Sequence, residues 1–198
     1  LAMMSRLNER PVKALTAGFS GTTAYDERAH ARRVADSVGA DHIEVEFTEA
    51  DFFELLPQVA SAIDDPTADY ALLPTFKLAA RARAEGLKVV ISGEGGDELF
   101  GGYGRYRQAI RPWPFSKSMR RNGLLHSTNV LRENSKKWRM GFSISEKTAL
   151  APERSALQVA QAIDCSDWLP ADLLTKLDRC LMAHGVEGRV PFLDPAIA

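Results

Sequence analysis

Lys88-Val89-Val90-Ile91-Ser92-Gly93-Glu94-Gly95-Gly96-Asp97-Glu98-Leu99-Phe100-Gly101-Gly102-Tyr103-Gly104 runs a short apolar stretch directly into a segment holding six of the chain's 14 glycines. A continuous apolar run bounded by turn residues reads as a strand covered on both faces. A glycine turn placed there lets the backbone approach a ligand and aims N–H groups at it, and the helix start that follows favours negative charge. That is an arrangement for a nucleotide. Glu94, Asp97 and Glu98 in the same turn would repel phosphate unless a divalent cation stood between them. Magnesium suits that place, since it takes one or two carboxylates together with phosphate oxygens and water. Gly93-Glu94-Gly95 opens a G-x-G-x-x-G run, but its sixth position is Glu98, and no Gly-Lys-Ser/Thr occurs, so neither the dinucleotide fingerprint nor the P-loop applies. A flexible linker is the remaining alternative, and a strand before it and a helix after it argue against that.

Upstream, the hydrophobic period alternates. Val12 to Phe19 reads as a buried strand running into Gly18-Phe19-Ser20-Gly21. Asp26 to Val38 is an amphipathic helix with Ala31, Val34, Ala35 and Val38 on one face and Gly39 as its C-terminal cap. His42 to Phe47 alternates as a half-buried strand with Ile43, Val45 and Phe47 on one side. Thr48 to Asp51 is a capping box, and the stripe Phe52, Leu55, Leu56, Val59, Ala60, Ile63 is expected to be split into two helices by Pro57. A turn-rich Asp64-Asp65-Pro66-Thr67-Ala68-Asp69 follows, then a helix from Pro74 to Glu85 closed by Gly86. Leu1 to Leu7 reads as the later part of a helix, and Met3, Met4, Phe52 and Phe53 as core.

Strands alternating with helices of this length imply an α/β fold: a parallel sheet with helices on both faces. Ligands then bind beyond the carboxyl ends of the strands, here at residues 18–26, 47–51 and after Ser92. From about Arg107 the strand signals stop. Residues 111–141 are basic and irregular, and Pro170 to His184 is a helix with Leu173, Leu174, Leu177 and Leu181 inward. The expected organisation is a nucleotide-binding α/β part over 1–110 and a helical continuation of the same domain over 111–198.

The chain has 198 residues, 45% hydrophobic and 26% charged, with net charge -1. This balance argues against electrostatic binding to nucleic acid or to anionic lipid. Cys165 and Cys180 make no Cys-x-x-Cys site, and His30, His42, His126 and His184 fall in four separate segments, so a histidine metal centre is not expected. No apolar run reaches the roughly 18–20 residues that span a bilayer. A cytoplasmic protein with free thiols is the expectation.

Ser92 to Tyr103 resembles the SGEGGDE-[LVI]-F-GGY signature of the synthetase domain of glutamine-hydrolysing asparagine synthetases. Three further runs resemble that family in the same order. Tyr25-Asp26-Glu27 after Gly18-Phe19 is similar to its GF…YDE run, and Asp64 to Asp69 with Leu73-Pro74-Thr75 to its D-[ED]-P-x-A-D…LPT segment. Leu177-Asp178-Arg179 with Met182 to Asp194 is similar to its DR…MAHG…RVPFLD block.

The resemblance implies an adenine nucleotide alpha hydrolase-like fold of the ATP-pyrophosphatase type. It implies activation of aspartate by ATP as a β-aspartyl-adenylate and attack by ammonia derived from glutamine. ATP and magnesium would be the cofactors, with no nucleic acid or membrane partner. By the same resemblance, the backbone of Ala17 and Gly18 would contact adenine, Ser92 and Gly93 would meet the adenosine, and Glu94, Gly95 and Gly96 would complete the nucleotide turn. Asp97 would ligate magnesium and Glu94 would lie near the reacting carboxyl or ammonia. Asp65, Thr67, Asp69 and Tyr103 are candidate substrate residues, with turn-shaping or packing as their alternative roles. Glu98, His184 and Arg189 read as fold-holding: Glu98 against a backbone group or arginine, His184 at a helix end, Arg189 in a buried ion pair.

Departures accompany the matches. No S-G-G-x-D-S pyrophosphate loop occurs in the chain. A first strand, a glutaminase domain upstream and further helices downstream are expected in the parent protein, so these residues alone are expected to be inactive or nearly so, and unpaired strand edges make a homodimer an expectation. Tyr70 stands where many members carry proline. The alternatives are a related adenylate-forming enzyme of the β-lactam-forming or peptide-cyclising type, and a non-catalytic nucleotide-binding scaffold.

Overall fold

The computed structural model describes residues 1–198 apart from 21–25, 65, 66, 68, 113, 116–118, 120–135 and 198, and for 136–139 the backbone alone. The elements, in chain order, are α1 (Ala2–Leu7), β1 (Lys13–Phe19), α2 (Arg28–Ser37), β2 (Asp41–Phe47), α3 (Glu49–Ala62), α4 (Leu72–Ala84), β3 (Val89–Ile91), α5 (Gly96–Phe100), α6 (Gly104–Ala109), α7 (Lys136–Ala149), α8 (Ala156–Ser166), a π-helical segment Leu169–Leu174, α9 (Thr175–Met182), β4 (Glu187–Arg189) and a 3-10 turn Pro191–Leu193. The α/β architecture with parallel strands is as expected. The chain folds as two compact units, Leu1–Val90 with Lys176–Gly188, and Ile91–Thr175 with Arg189–Ala198.

In the first unit β1 and β2 pair in parallel from Lys13↔Asp41 to Phe19↔Phe47. Because side chains alternate across a strand, Thr16, Gly18, His42 and Glu44 share one face. There α2 packs, with the Arg28 side chain lying across Gly18 and Arg32 paired to Glu44. The opposite face meets α4: Lys13 pairs with Glu85 just past that helix, at 2.5 Å, and Phe47 packs into the cluster of Val59, Leu73, Phe76 and Cys180. The capping box at Thr48 forms as expected, Thr48 Oγ1 accepting from the Asp51 N–H and Asp51 from the Thr48 N–H.

Pro57 does not split the next helix, and α3 is continuous through it. Proline removes one N–H and strains one turn, a cost that helix packing offsets here, since Leu55, Val59, Ala62 and Ile63 all join the core cluster. That packing uses one face only. Phe53 lies on the other, Phe52 stands one turn before the cluster on the same stripe, and both are exposed, as is Met3 on α1, so these three are not the core residues their hydrophobicity suggested.

The second unit is helical around Tyr106, Met119, Phe142, Ala149, Ala160 and Ile163. Ser155 and Gln158 cap α8 reciprocally. The helix expected over Pro170 to His184 is wound in two ways, as the π segment Leu169–Leu174 and then as α9. Thr175 Oγ1 takes up the Pro170 carbonyl at 3.0 Å, five residues back. Leu173, Leu177 and Leu181 are buried as expected.

One strand lies within the stretch read as helical. β4 forms a second two-stranded sheet with β3. The Glu187 N–H donates to Lys88 and the Ser92 N–H to Arg189, so the bonds advance together along both strands, as in a parallel pair. Three residues of Glu-Gly-Arg have no strand periodicity to display, which is why the pattern missed them. β3 itself is less covered than its apolar run suggests, with Val89 and Ile91 exposed. Among the described residues no helix is long and apolar enough to cross a membrane.

Candidate active site

In the first unit, the carboxyl ends of β1 and β2 open into a cavity of about 580 Å3 lined by Ala17, Phe19, Glu27, Phe47, Phe52, Tyr70, Leu73 and Pro74. Four aromatic side chains and one carboxylate make it apolar, with a single acidic edge. Ala17 lines it directly, while Gly18 is buried on the other face of the strand under Arg28. Arg28 is held by Asp26, its Nε lying 3.0 and 2.9 Å from the two carboxylate oxygens, and this guanidinium keeps the Asp26 carboxyl below the ordinary range.

The neighbouring loop is fixed by charge. Lys77 donates to Asp51 and, at 2.7 Å, to the Glu46 carbonyl. The Lys77 ammonium, followed by the Thr48 hydroxyl, lowers Asp51 to about 2. Asp69 accepts from the Ala71 N–H at 2.8 Å and from Lys176 Nζ at 2.6 Å, so its carboxylate is fully engaged in shaping the turn into α4. The Thr67 hydroxyl is buried with no partner among the described residues. Asp65 lies outside the described residues, as do Tyr25 and Ala68.

The second unit holds the glycine turn. The Glu94 N–H donates to Ser92 Oγ at 3.4 Å, and the Gly96 N–H to the Gly93 carbonyl at 3.1 Å. Gly95, buried at φ 91°, begins α5, and a Cβ there would lie 2.4 Å from Leu193 Cδ2. Phe192 packs over Gly96 and edge-on to Phe100, with ring centroids 5.6 Å apart. Gly95 is therefore demanded from one side by the Pro191–Leu193 turn, whereas a Cβ on Gly96 would meet Phe192 at an ordinary contact distance of 3.5 Å. On the other side Gly93 is exposed, with no heavy atom near the place of a Cβ.

The two acidic residues that follow part company. Asp97 is exposed, and no side chain caps α5. Glu98 is 1% exposed and accepts from the Tyr103 hydroxyl at 2.9 Å, rather than from an arginine or backbone N–H. Burial and the adjacent Glu98 raise the Tyr103 hydroxyl pKa.

Arg105 stacks 3.6 Å above the Tyr103 ring and pairs with the fully buried Asp164 at 2.8 Å. Gln161 Nε2 donates to the carbonyls of Glu98 and Leu99, at 2.7 and 2.9 Å, where α5 ends. Arg105, Gln161 and Asp164 carry no motif that sequence reasoning could have singled out. Their role exists only once α8 is brought against α5. In the first unit, His184 follows α9 with its ring 4.4 Å from Phe76, and burial lowers its pKa, so its structural reading holds. Arg189 is exposed rather than buried.

Among the described residues no three His, Cys, Asp or Glu side chains converge as a metal centre. Asp97 offers a single solvent-facing carboxylate, over a turn where a Gly102 side chain would intrude. That donor set fits magnesium, which draws its remaining ligands from phosphate and water, and it does not fit a metal held by protein alone.

Parallel strands flanked by helices define the α/β class of protein. The whole of residues 1–198 matches the family described as Asparagine synthase, and the chain belongs to that family. It is 34% identical, over 99% of its length, to a putative glutamine-hydrolyzing asparagine synthetase of Mycobacterium tuberculosis strain H37Rv. It is 27% identical over 94% of its length to glutamine-hydrolyzing asparagine synthetase 1 of Bacillus subtilis, and 35% over 68% to the Saccharomyces cerevisiae protein of the same description. The chain covers 36%, 35% and 23% of those three proteins, respectively.

Proposed function

We propose that this chain is part of an ATP-dependent carbon–nitrogen ligase that makes asparagine from aspartate through a β-aspartyl-adenylate, with ammonia drawn from glutamine. The observation that carries the reading is family membership over all 198 residues with the Ser92 to Tyr103 turn intact. The aromatic cavity suits a purine, whose flat faces stack against Phe and Tyr rings. Ala17 offers its backbone there. The open side of the turn at Gly93 leaves room for close approach of a negatively charged group, and negative charge grows on the polyphosphate as pyrophosphate leaves. Asp97 would hold magnesium, which neutralises that charge when bound. Glu94 would lie beside the acyl carbon.

Residues 1–198 contain no S-G-G-x-D-S run to grip pyrophosphate, and by themselves they should be inactive or nearly so. A glutaminase domain upstream in the parent chain and a homodimer belong to the same proposal, as does a cytoplasmic location. Tyr70, standing where many members of the family carry proline, favours one second reading, the same adenylation chemistry on a different carboxylate.

The test is pyrophosphate release from ATP by the protein expressed from its complete coding sequence, with aspartate and either glutamine or ammonia. Aspartate-dependent release with asparagine as product bears the proposal out. ATP binding without aspartate-dependent release would move the search to other carboxylates.

A further inference from the structure

Lys176 is 4% exposed, and a buried ammonium persists only where its charge is met. Its Nζ donates at 2.6 Å to Asp69 Oδ2, and the other oxygen of that carboxylate accepts the Ala71 N–H at 2.8 Å. The two side chains are 5% and 10% exposed, so the pair is shielded from water and salt. Two more ties join the same segments. Cys180 Sγ lies 3.5 Å from the Leu72 carbonyl oxygen, and Arg179 pairs with Asp64 at 2.9 Å. Cys180 also packs against Leu73 and Phe76 in the core. The segment gripped in this way supplies Tyr70, Leu73 and Pro74 to the cavity wall. No residue of α9 lines the cavity itself.

We propose that Lys176 is a positioning residue for the ligand of this cavity. From over 100 residues downstream, its ammonium orients the Asp69 carboxylate, which sets the first turn of α4 and with it the Tyr70–Leu73–Pro74 wall. Arg179 and Cys180, one turn further along α9, anchor the same wall. Ligand affinity therefore depends on a side chain that never touches the ligand. The ligand's being ATP rests on the function proposed above, whereas the mechanical link between Lys176 and the wall does not.

Two measurements separate these claims. Hydrogen exchange at the amides of Ala71 and Leu72 reads the wall without any ligand, since those amides donate to the Asp69 carboxylate and carbonyl respectively. In Lys176→Met, exchange there should rise about tenfold or more while the β1–β2 ladder is unchanged, and Lys176→Arg should restore protection. Titration with ATP should then show about five- to tenfold weaker binding for Lys176→Met and near-native binding for Lys176→Arg. Should Lys176→Met fail to fold because Asp69 is left buried and unpaired, Lys176→Met with Asp69→Asn removes both charges, and it should show the same local loosening. Unchanged exchange at Ala71 and Leu72 in a folded variant overturns the proposal, and so does loosening with no change in ATP affinity. An unsubstituted protein that binds no ATP refutes the functional reading instead, and the exchange result then decides the positioning role alone.

Discussion

The Asp97 carboxylate occupies the space that a Gly102 side chain would need: a Cβ on Gly102 would lie 1.9 Å from Asp97 Oδ1 and 3.3 Å from its Cα. The two residues are also joined through the backbone, with the Gly102 N–H donating to the Asp97 carbonyl at 2.9 Å. Gly102 thus gives the carboxylate its resting place beyond α5. In Gly102→Ala the carboxylate must swing away, so magnesium-dependent ATP binding should weaken about tenfold while the thermal midpoint moves only a few degrees. Calorimetric titration with and without magnesium measures both. An unchanged magnesium dependence would show that the orientation of Asp97 is irrelevant.

Asp97→Asn and Tyr103→Phe should separate binding from folding. Asp97 is exposed and caps nothing, so its amide variant should unfold like the unsubstituted protein and lose magnesium-dependent nucleotide binding. Tyr103→Phe removes the hydrogen bond donated to Glu98 Oε1 and leaves that buried carboxylate short of a donor, at a cost of about 1–3 kcal/mol. Urea denaturation of both variants checks the contrast.

Gly93→Ala and Gly95→Ala form a second pair. Gly95 has φ 91° and would drive a Cβ into Leu193, so its alanine variant should lose about 3 kcal/mol or more. Gly93 meets nothing within 4 Å, and its alanine variant should fold within about 0.5 kcal/mol of the unsubstituted protein. Weaker ATP binding by Gly93→Ala would then report on ligand approach alone, and native binding would remove Gly93 from the nucleotide turn.

Acid should loosen the loop after β2 before it unfolds the rest of the first unit. Asp51 is lowered from 3.8 to about 2 by Lys77 and Thr48. A carboxyl lowered by folding contributes stability above its unfolded value, and that contribution is lost as pH falls through the folded one. The loss should therefore fall between pH 3.8 and about 2. Asp51→Asn should flatten the pH dependence of the melting temperature in that window, and Lys77→Met should do the same.

Much of this was written in local pattern. The capping box at Thr48, the alternation of Ile43, Val45 and Phe47, and the glycine stops at Gly39 and Gly86 each form where their chemistry places them. These signals were legible because each depends on residues within one turn or one pleat. Pro57 misled because its local penalty is real but smaller than the core packing of α3. Phe53 misled because hydrophobicity alone does not say which side of a helix meets the core, and Phe52 because the core stripe of α3 runs on past the cluster into the cavity lining.

The sequence by itself determined the α/β class, the strand-to-glycine-turn motif and the family, since those rest on the order and spacing of residues along the chain. Tertiary structure alone decided how the neighbouring acids divide. Asp97 faces solvent, and Glu98 is sealed under Tyr103, with Gln161 holding the carbonyls behind it. Only folding pairs Lys176 with Asp69 and sets Leu193 against Gly95. Those contacts join residues roughly 100 positions apart, whose partners are fixed by packing of the folded chain, and no spacing in the sequence records them.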